Sequence, residues 1–165
     1  MGLAELLEIR PGVTAVIGGG GKTTLLRTLG EELAAGGARV LLCASTKIFP
    51  FQGLTNLKDP SERTLADALE TCPLLCAGTP VPGTGKLTAP RIPMARLAAL
   101  AEYVLAEADG AAGRPLKAHA PHEPVIPPEA NQVVCVVGAS GFGRPIGEAA
   151  HRPALYARLA GVLED

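Results

Sequence analysis

The sequence predicts an α/β fold of three layers, in which helices cover both faces of a mainly parallel central sheet. A β-rich apolar run at Val13–Ile17 leads into a glycine-rich turn, and apolar residues then recur at helical spacing over Thr23–Ala35. Gly36 and Gly37 end that helix, and Arg39–Cys43 follows as a run that is apolar on both faces, as in buried parallel strands. A strand, a helix and a second strand in this order normally belong to one parallel sheet.

The middle of the chain predicts a helix and a small hairpin. Asp59 is expected to cap a helix over 60–70, because Pro suits the first helical position and Glu62 is acidic in the first turn. Leu74–Ala77 and Lys86–Thr88 are separated by a Gly/Pro-rich turn and are expected to pair with each other. Residues 72–90 would then form a small hairpin or flap.

The rest of the chain completes the predicted sheet. Its regular elements are a helix at Pro93–Ala101, a strand at Tyr103–Ala106, a core strand at Val133–Val137 and a helix at Pro153–Leu163. On this last helix, Leu155, Leu159 and Val162 fall on one face. Gly110–Pro128 has no periodic pattern, and so long an irregular stretch in a compact domain is more often functional than idle.

Composition indicates one domain and excludes several classes of ligand. A chain of 165 residues with 47% hydrophobic residues can build one core, so we expect a single domain over 1–165. Only 3% of residues are aromatic, and 15 basic against 16 acidic side chains leave a net charge of −1, which argues against nucleic acid as a partner. The first residues lack a basic region followed by a long apolar stretch, and no apolar run is long enough to span a bilayer, so we expect a cytoplasmic protein without a membrane partner.

The strongest motif predicts a cradle for nucleotide phosphates. It consists of Gly18, Gly19, Gly20, Gly21, Lys22, Thr23 and Thr24, between the first predicted strand and helix. Glycines allow consecutive backbone amides to surround an anion, and the helix N-terminus adds partial positive charge. Lys22 is expected to point at solvent or at the outer phosphates, and the Thr23 hydroxyl is expected to hold Mg²⁺. A glycine-rich turn without a ligand is the alternative.

The motif is a variant of the P-loop. The full pattern has glycine where this chain has Val16, and Ile17 stands where some variant loops carry a second lysine. The pair Gly85-Lys86 is not a second loop, because Leu87 follows where a hydroxyl is needed. ATP is the default nucleotide and GTP stays open, since Phe49 replaces the aspartate of a guanine-reading motif.

Two carboxylates and a lysine are expected near the cradle. Glu107 and Asp109 end the strand at Tyr103–Ala106, at the sheet edge where α/β proteins bind ligands. We assign Asp109 to Mg²⁺ and Glu107 to a partner or water-orienting base, and the two roles are open to exchange. Lys47 follows the second strand and would touch phosphate or substrate, unless it is only solvated.

The irregular stretch after the acidic strand is dense in ionisable groups. These groups are Arg114, Lys117, His119, His122 and Glu123. Such a cluster beside a nucleotide site indicates a substrate or metal pocket, and a solvated loop is the alternative.

Six motifs together resemble the YqeC family. They are Gly-Gly-Lys-Thr-Thr at 20–24, Ser-Thr-Lys-Ile-Phe-Pro at 45–50, Glu-Ala-Asp-Gly at 107–110, Pro-Leu-Lys-Ala at 115–118, His-Glu-Pro-Val-Ile-Pro at 122–127 and His-Arg-Pro at 151–153. The resemblance implies a cytoplasmic, P-loop NTPase-like protein that helps to mature molybdenum hydroxylases carrying labile selenium. Ala111 and Ala112 depart from the family's polar or basic residues, and the C-terminal part of the family is expected to be absent.

Three functions are compatible with these observations. The leading hypothesis is an ATP- or GTP-hydrolysing accessory factor whose partner is a molybdenum hydroxylase. The second is a phosphotransferase acting on a small selenium- or cofactor-related substrate, with His122 and Glu123 in its substrate pocket. The third is a binding protein without catalytic activity, whose partner affinity depends on the bound nucleotide.

Overall fold

The computed structural model of the protein describes residues 1–163, and positions 164 and 165 of the predicted domain lie outside the described residues. The strands are β1 (Gly12–Gly18), β2 (Val40–Ala44), β3 (Lys47–Ile48), β4 (Thr55–Lys58), β5 (Leu74–Val81), β6 (Lys86–Thr88), β7 (Tyr103–Glu107), β8 (Leu116–Lys117), β9 (Ala130–Val136) and β10 (Ala150–His151). The α-helices are α1 (Leu3–Leu6), α2 (Lys22–Ala35), α3 (Glu62–Thr71), α4 (Met94–Leu100), α5 (Ile146–Ala149) and α6 (Pro153–Ala160). Within the described residues, none of these helices has the length and apolarity to cross a membrane.

The central sheet is mostly parallel, as the sequence predicts. Its strand order is β3-β6-β5-β2-β7-β1-β9, and β4 also pairs with β5. The pairs made by β1, β2, β4, β7 and β9 are parallel, whereas β6 runs antiparallel to both β3 and β5. The short strands β8 and β10 form a separate parallel pair.

Helices cover both faces of the sheet and divide the core into two clusters. On one face, α2 buries Leu26 and Leu29 in the first cluster. On the other face, α3 buries Leu65 and Leu69, and α4 buries Leu97 in the second cluster. Alternate residues of β1 and β2 belong to opposite clusters, as the period of a strand requires. The three-layer α/β architecture is therefore confirmed.

The predicted cap of α3 is wrong. The helix is capped by Ser61, whose Oγ accepts a hydrogen bond of 3.1 Å from the Thr64 amide. Asp59 lies outside the helix with a left-handed φ of 48°, and it accepts a hydrogen bond from Thr79. Asp and Ser both suit the cap, and contacts with β5 decide between them.

The predicted hairpin is also corrected. Leu74–Ala77 does not pair with β6, because these buried residues pair in parallel with β2 and β4. The antiparallel pairing joins Thr79–Val81 to Lys86–Thr88. Residues 72–90 therefore do not form a separate flap. The hairpin consists of β6 and the C-terminal end of β5, which is a strand of the central sheet.

The C-terminal elements are more exposed than predicted. β9 lies at the sheet edge and exposes alternate residues, including Val133 at 46%, so it is not a core strand on both faces. The last helix ends at Ala160, and Leu159 is 68% exposed and Val162 54% exposed. An apolar pattern predicts which face of a helix or strand is apolar. Whether that face is buried depends on the elements that pack against it.

Candidate functional site

A cleft of about 400 Å³ opens at the carboxyl ends of the central strands. It is lined by residues 19–23 after β1, by residues 47–49 after β2, by Glu107, by residues 110–113, and by Lys86 of the hairpin. Open α/β sheets bind ligands at this edge, and the volume lies within the range of about 300–1,000 Å³ typical of ligand pockets.

The loop between β1 and α2 requires glycine for two reasons. Gly18 and Gly21 adopt left-handed φ angles of +102° and +104°, which other residues rarely take. Gly19 has no room for a side chain, because a Cβ there would lie 1.9 Å from the Pro115 carbonyl oxygen. The glycine run therefore fits the loop between the sheet and the segment at 114–115.

The backbone amides of this loop fall into two groups. The amides of Gly18, Gly19 and Gly20 donate within the protein, to Asp109 Oδ2, to the Val136 carbonyl and to the Arg114 carbonyl respectively. The next four amides, at 21–24, have no hydrogen-bond partner among residues 1–163. Free amides at a helix N-terminus attract anions, so the open part of the predicted cradle begins at Gly21.

Lys22 turns back beneath the loop, contrary to the sequence prediction. Its side chain is 3% exposed, and its Nζ donates to the carbonyls of Gly18 at 2.8 Å and Gly19 at 3.0 Å. The same Nζ lies 3.1 Å from Asp109 Oδ1, and this carboxylate is fully buried. A buried carboxylate needs a partner, and this need explains why the ammonium group points inward.

Thr23 and Glu107 face each other at the cleft. The Thr23 hydroxyl donates a hydrogen bond of 3.1 Å to Glu107 Oε2. Burial raises the pKa of Glu107, while the Lys22 ammonium and the Thr23 hydrogen bond oppose this shift. The carboxylate that contacts Thr23 is thus Glu107 and not Asp109. This contact corresponds to the exchange of roles between Glu107 and Asp109 that the sequence leaves open.

Behind the loop lies a partly buried cluster of charged and polar side chains, which we call the Asp109 cluster. It contains Asp109, Lys117, His119, Glu123 and Arg152. Asp109 Oδ2 lies 2.6 Å from His119 Nε2 and 3.3 Å from Lys117 Nζ. The Lys117 side chain has no exposed surface, and its Nζ lies 3.2 Å from Glu123 Oε2, which also pairs with Arg152. Lys117 thus bridges two carboxylates.

The hydrogen bonds of Asp109 keep its carboxyl group ionised. Burial alone would raise its pKa, but the Gly18 amide, the Lys22 ammonium and the His119 hydrogen bond outweigh burial, and the net effect is a lowered pKa. Asp109 is therefore a buried anion that anchors the loop through Gly18 and Lys22.

The other predicted site residues are spread over both sides of the loop. Lys47 is exposed and lines the cleft. The Arg114 side chain donates to the Glu148 carbonyl, so only its main chain contacts the loop, through Gly20. His122 is exposed and does not line the cleft.

Sequence reasoning missed two charged residues of this region. Lys86 lines the cleft, and its Nζ lies 4.7 Å from the centre of the Phe49 ring. Gly85-Lys86 is indeed no phosphate loop, but the strand pairing that places Lys86 beside Phe49 is not visible in the chain order. Arg152 belongs to the Asp109 cluster. In the sequence, only its place in the His-Arg-Pro motif singled it out.

The fold and site define a three-layer α/β protein with a glycine-rich loop and a free helix N-terminus at the carboxyl ends of its parallel strands. The family model described as YqeC protein matches residues 14–154. A relative from Escherichia coli (strain K12) that bears the name YqeC is 35% identical over 164 residues, covering 94% of this chain and 63% of the relative. The chain belongs to the YqeC family and spans 63% of that relative's length. No solved structure matches the chain.

Proposed function

We propose that the protein binds ATP or GTP with Mg²⁺ at the cleft and hydrolyses it. The observation that carries this proposal is the set of four free amides at 21–24, beside the Thr23 hydroxyl and the Glu107 carboxylate. We further propose that hydrolysis serves the maturation of selenium-dependent molybdenum hydroxylases, on the strength of the family resemblance.

Phosphate binding would use the amides first and Lys22 second. The helix N-terminus supplies donors and partial positive charge without rearrangement. Lys22 would have to leave Asp109 to reach a phosphate, and Asp109 would then keep its ion pair with Lys117 and its hydrogen bond with His119. The Asp109 cluster therefore allows Lys22 to move without leaving an unpaired buried carboxylate.

Thr23 and Glu107 fit the chemistry of Mg²⁺. Hydroxyl and carboxylate oxygens are the ligands it prefers, and it usually keeps several waters beside one or two protein groups and the phosphates. Within residues 1–163, no group of three or more His, Cys, Asp or Glu side chains is arranged to hold a metal, so the ligand itself would supply oxygens. When bound, the ion would neutralise charge on the outer phosphates.

Calorimetry with Mg-ATP and Mg-GTP tests the proposal. The wild type should bind one of them, and Thr23→Val should weaken binding by about tenfold, the loss expected for one hydrogen bond to a charged group. Thr28→Val is the matched control, because Thr28 lies on the same helix but outside the cleft lining. Absence of Mg²⁺-dependent binding by the wild type would refute the proposal.

Release of phosphate tests the catalytic part. We expect slow hydrolysis that a client hydroxylase accelerates, and Glu107→Gln should abolish it. Tight binding by the wild type without measurable turnover would instead favour a nucleotide-gated binding protein.

A phosphotransferase is the second candidate, because the cleft continues past Thr23 to Lys47 and Phe49. An acceptor would contact these two residues rather than the predicted pair. His122 lies outside the cleft lining, and Glu123 is held by Lys117 and Arg152. Transfer of labelled γ-phosphate to an acceptor other than water would establish this activity.

A further inference from the structure

The wall of the cleft opposite the glycine loop carries two lysines on neighbouring strands. In the antiparallel pairing of β3 and β6, Lys47 lies opposite Thr88 and Ile48 lies opposite Leu87. Lys86 is the next residue along β6, and both Lys47 and Lys86 line the cleft. The hairpin thus brings a second ammonium group to a site that already contains Lys47.

The core fixes this wall in place. Leu87 is 1% exposed and Ile48 is 4% exposed, and both belong to the cluster on the α2 face. Because successive side chains of a strand point to opposite faces, burial of Leu87 turns Lys86 away from the core and toward the cleft. The Thr88 hydroxyl also donates a 2.6 Å hydrogen bond to the Thr46 carbonyl, which ties β6 to the residue before β3.

Lys86 makes a cation–π contact but no direct ion pair within the described chain, although its charge helps to oppose the rise in the pKa of Glu107. Its Nζ lies over the Phe49 ring, a cation–π contact that restricts the side chain. Among residues 1–163, no carboxylate lies within 4.0 Å of Lys86 or Lys47, and Glu107 is the one acidic residue that lines the cleft. The wall therefore contributes two positive charges, without a direct ion pair to any described residue, to the cleft that Gly21 and Thr23 also line.

We propose that Lys86 contacts the terminal phosphate of a nucleoside triphosphate and makes the protein prefer triphosphates over diphosphates. This inference rests on the proposed function. The amides at 21–24 would bind the inner phosphates, and Thr23 and Glu107 line the same cleft as Lys86. The terminal phosphate of a triphosphate would lie beyond the phosphates bound at the loop, and Lys86 lines the same cleft.

Calorimetry on four proteins tests the inference, with Mg-ATP against Mg-ADP, or GTP against GDP if the wild type binds guanine nucleotides. Lys86→Gln should weaken the triphosphate by about tenfold and the diphosphate by less than about twofold, because only the triphosphate loses a charged contact. Lys86→Arg should keep the preference. Lys58→Gln removes an exposed lysine of β4, outside the cleft lining, and should change neither affinity.

The outcomes separate the inference from the proposed function. Equal weakening of both nucleotides by Lys86→Gln, or no weakening of either, would overturn the role of Lys86 while nucleotide binding by the wild type stands. Loss of the preference in Lys86→Arg as well would also count against a charge contact. If the wild type binds neither nucleotide, the proposed function and this inference fall together.

Discussion

The two sides of the glycine loop use charge in opposite ways. On the inner side, the charges of the Asp109 cluster are paired, and Asp109 and Lys117 at its centre are fully buried. On the outer side, Lys47 and Lys86 have no carboxylate partner among residues 1–163 and face an open cleft. Paired buried charges hold a loop in one shape, whereas unpaired charges in a cleft attract a ligand. One loop therefore separates a structural cluster of charges from the proposed binding site.

The same contrast divides two carboxylates that are two residues apart. Asp109 is ionised and anchors the loop, with its pKa lowered by the Gly18 amide and Lys22 despite burial. Glu107 faces the cleft, and burial raises its pKa. The predictions below remove one group at a time from each side.

The largest effect is expected from Asp109→Asn. This substitution leaves Lys22 and Lys117 as buried cations without their shared anion, which should lower the free energy of unfolding by about 3–5 kcal/mol. Urea denaturation measures the change. Asp67→Asn removes an exposed carboxylate of α3 and should change stability by less than about 0.5 kcal/mol. A loss below about 1 kcal/mol for Asp109→Asn would show that the cluster does not hold the loop.

Lys117→Met should have the next largest effect. Asp109 would keep Lys22 and His119, so we expect a loss of about 2 kcal/mol in the free energy of unfolding rather than the full cost of an unpaired charge. Lys47→Met, on the cleft side, should leave stability within about 0.5 kcal/mol of the wild type. Equal effects of the two substitutions in thermal or urea unfolding would remove the distinction between the two sides.

Acid should destabilise the protein through the same cluster. The pKa of Asp109 is lower in the folded state than in the unfolded state, where it is about 3.9, so its contribution is present above that pH. The contribution is lost as the pH falls through the folded pKa. Glu123, whose pKa is also lowered, adds an effect of the same sign. Unfolding measured from neutral to acidic pH should give a flatter profile for Asp109→Asn, and an unchanged profile would contradict the role of Asp109.

Glu107→Gln should have a small effect on stability and a large one on function. Because burial raises the pKa of Glu107, its ionised form is not favoured by folding, and the uncharged amide should change stability by less than about 1 kcal/mol. Mg²⁺-dependent hydrolysis should nevertheless disappear. A destabilisation as large as that of Asp109→Asn would mean that Glu107 belongs to the structural side.

Much of the fold follows from local patterns in the sequence. The strand at Val13–Ile17 and the helix at Thr23–Ala35 are confirmed. The spacing of their apolar residues and the glycines on either side of the helix specify them. The strand at Thr55–Lys58 was not predicted, since it has one apolar residue and exists through pairing with β5. The register of the hairpin is likewise a tertiary property, because Leu74–Ala77 pairs with its parallel neighbours instead.

The site was predictable as a set of residues but not as contacts. Chain order places Glu107 and Asp109 at one strand end, yet it does not show that β7 ends at Glu107 and that Asp109 turns beneath the loop. The bridge from Lys117 to Glu123 and Arg152 joins segments that no periodic pattern relates. Lys86 reaches the cleft only because its strand pairs with β3.

A crystal structure with Mg²⁺ and a non-hydrolysable nucleoside triphosphate tests the division between the two sides most directly. We predict phosphate oxygens within hydrogen-bond distance of the amides at 21–24 and Lys22 moved from Asp109 to the phosphates, while Asp109 keeps Lys117 and His119. A nucleotide bound away from the glycine loop, with Lys22 still paired to Asp109, would contradict the account.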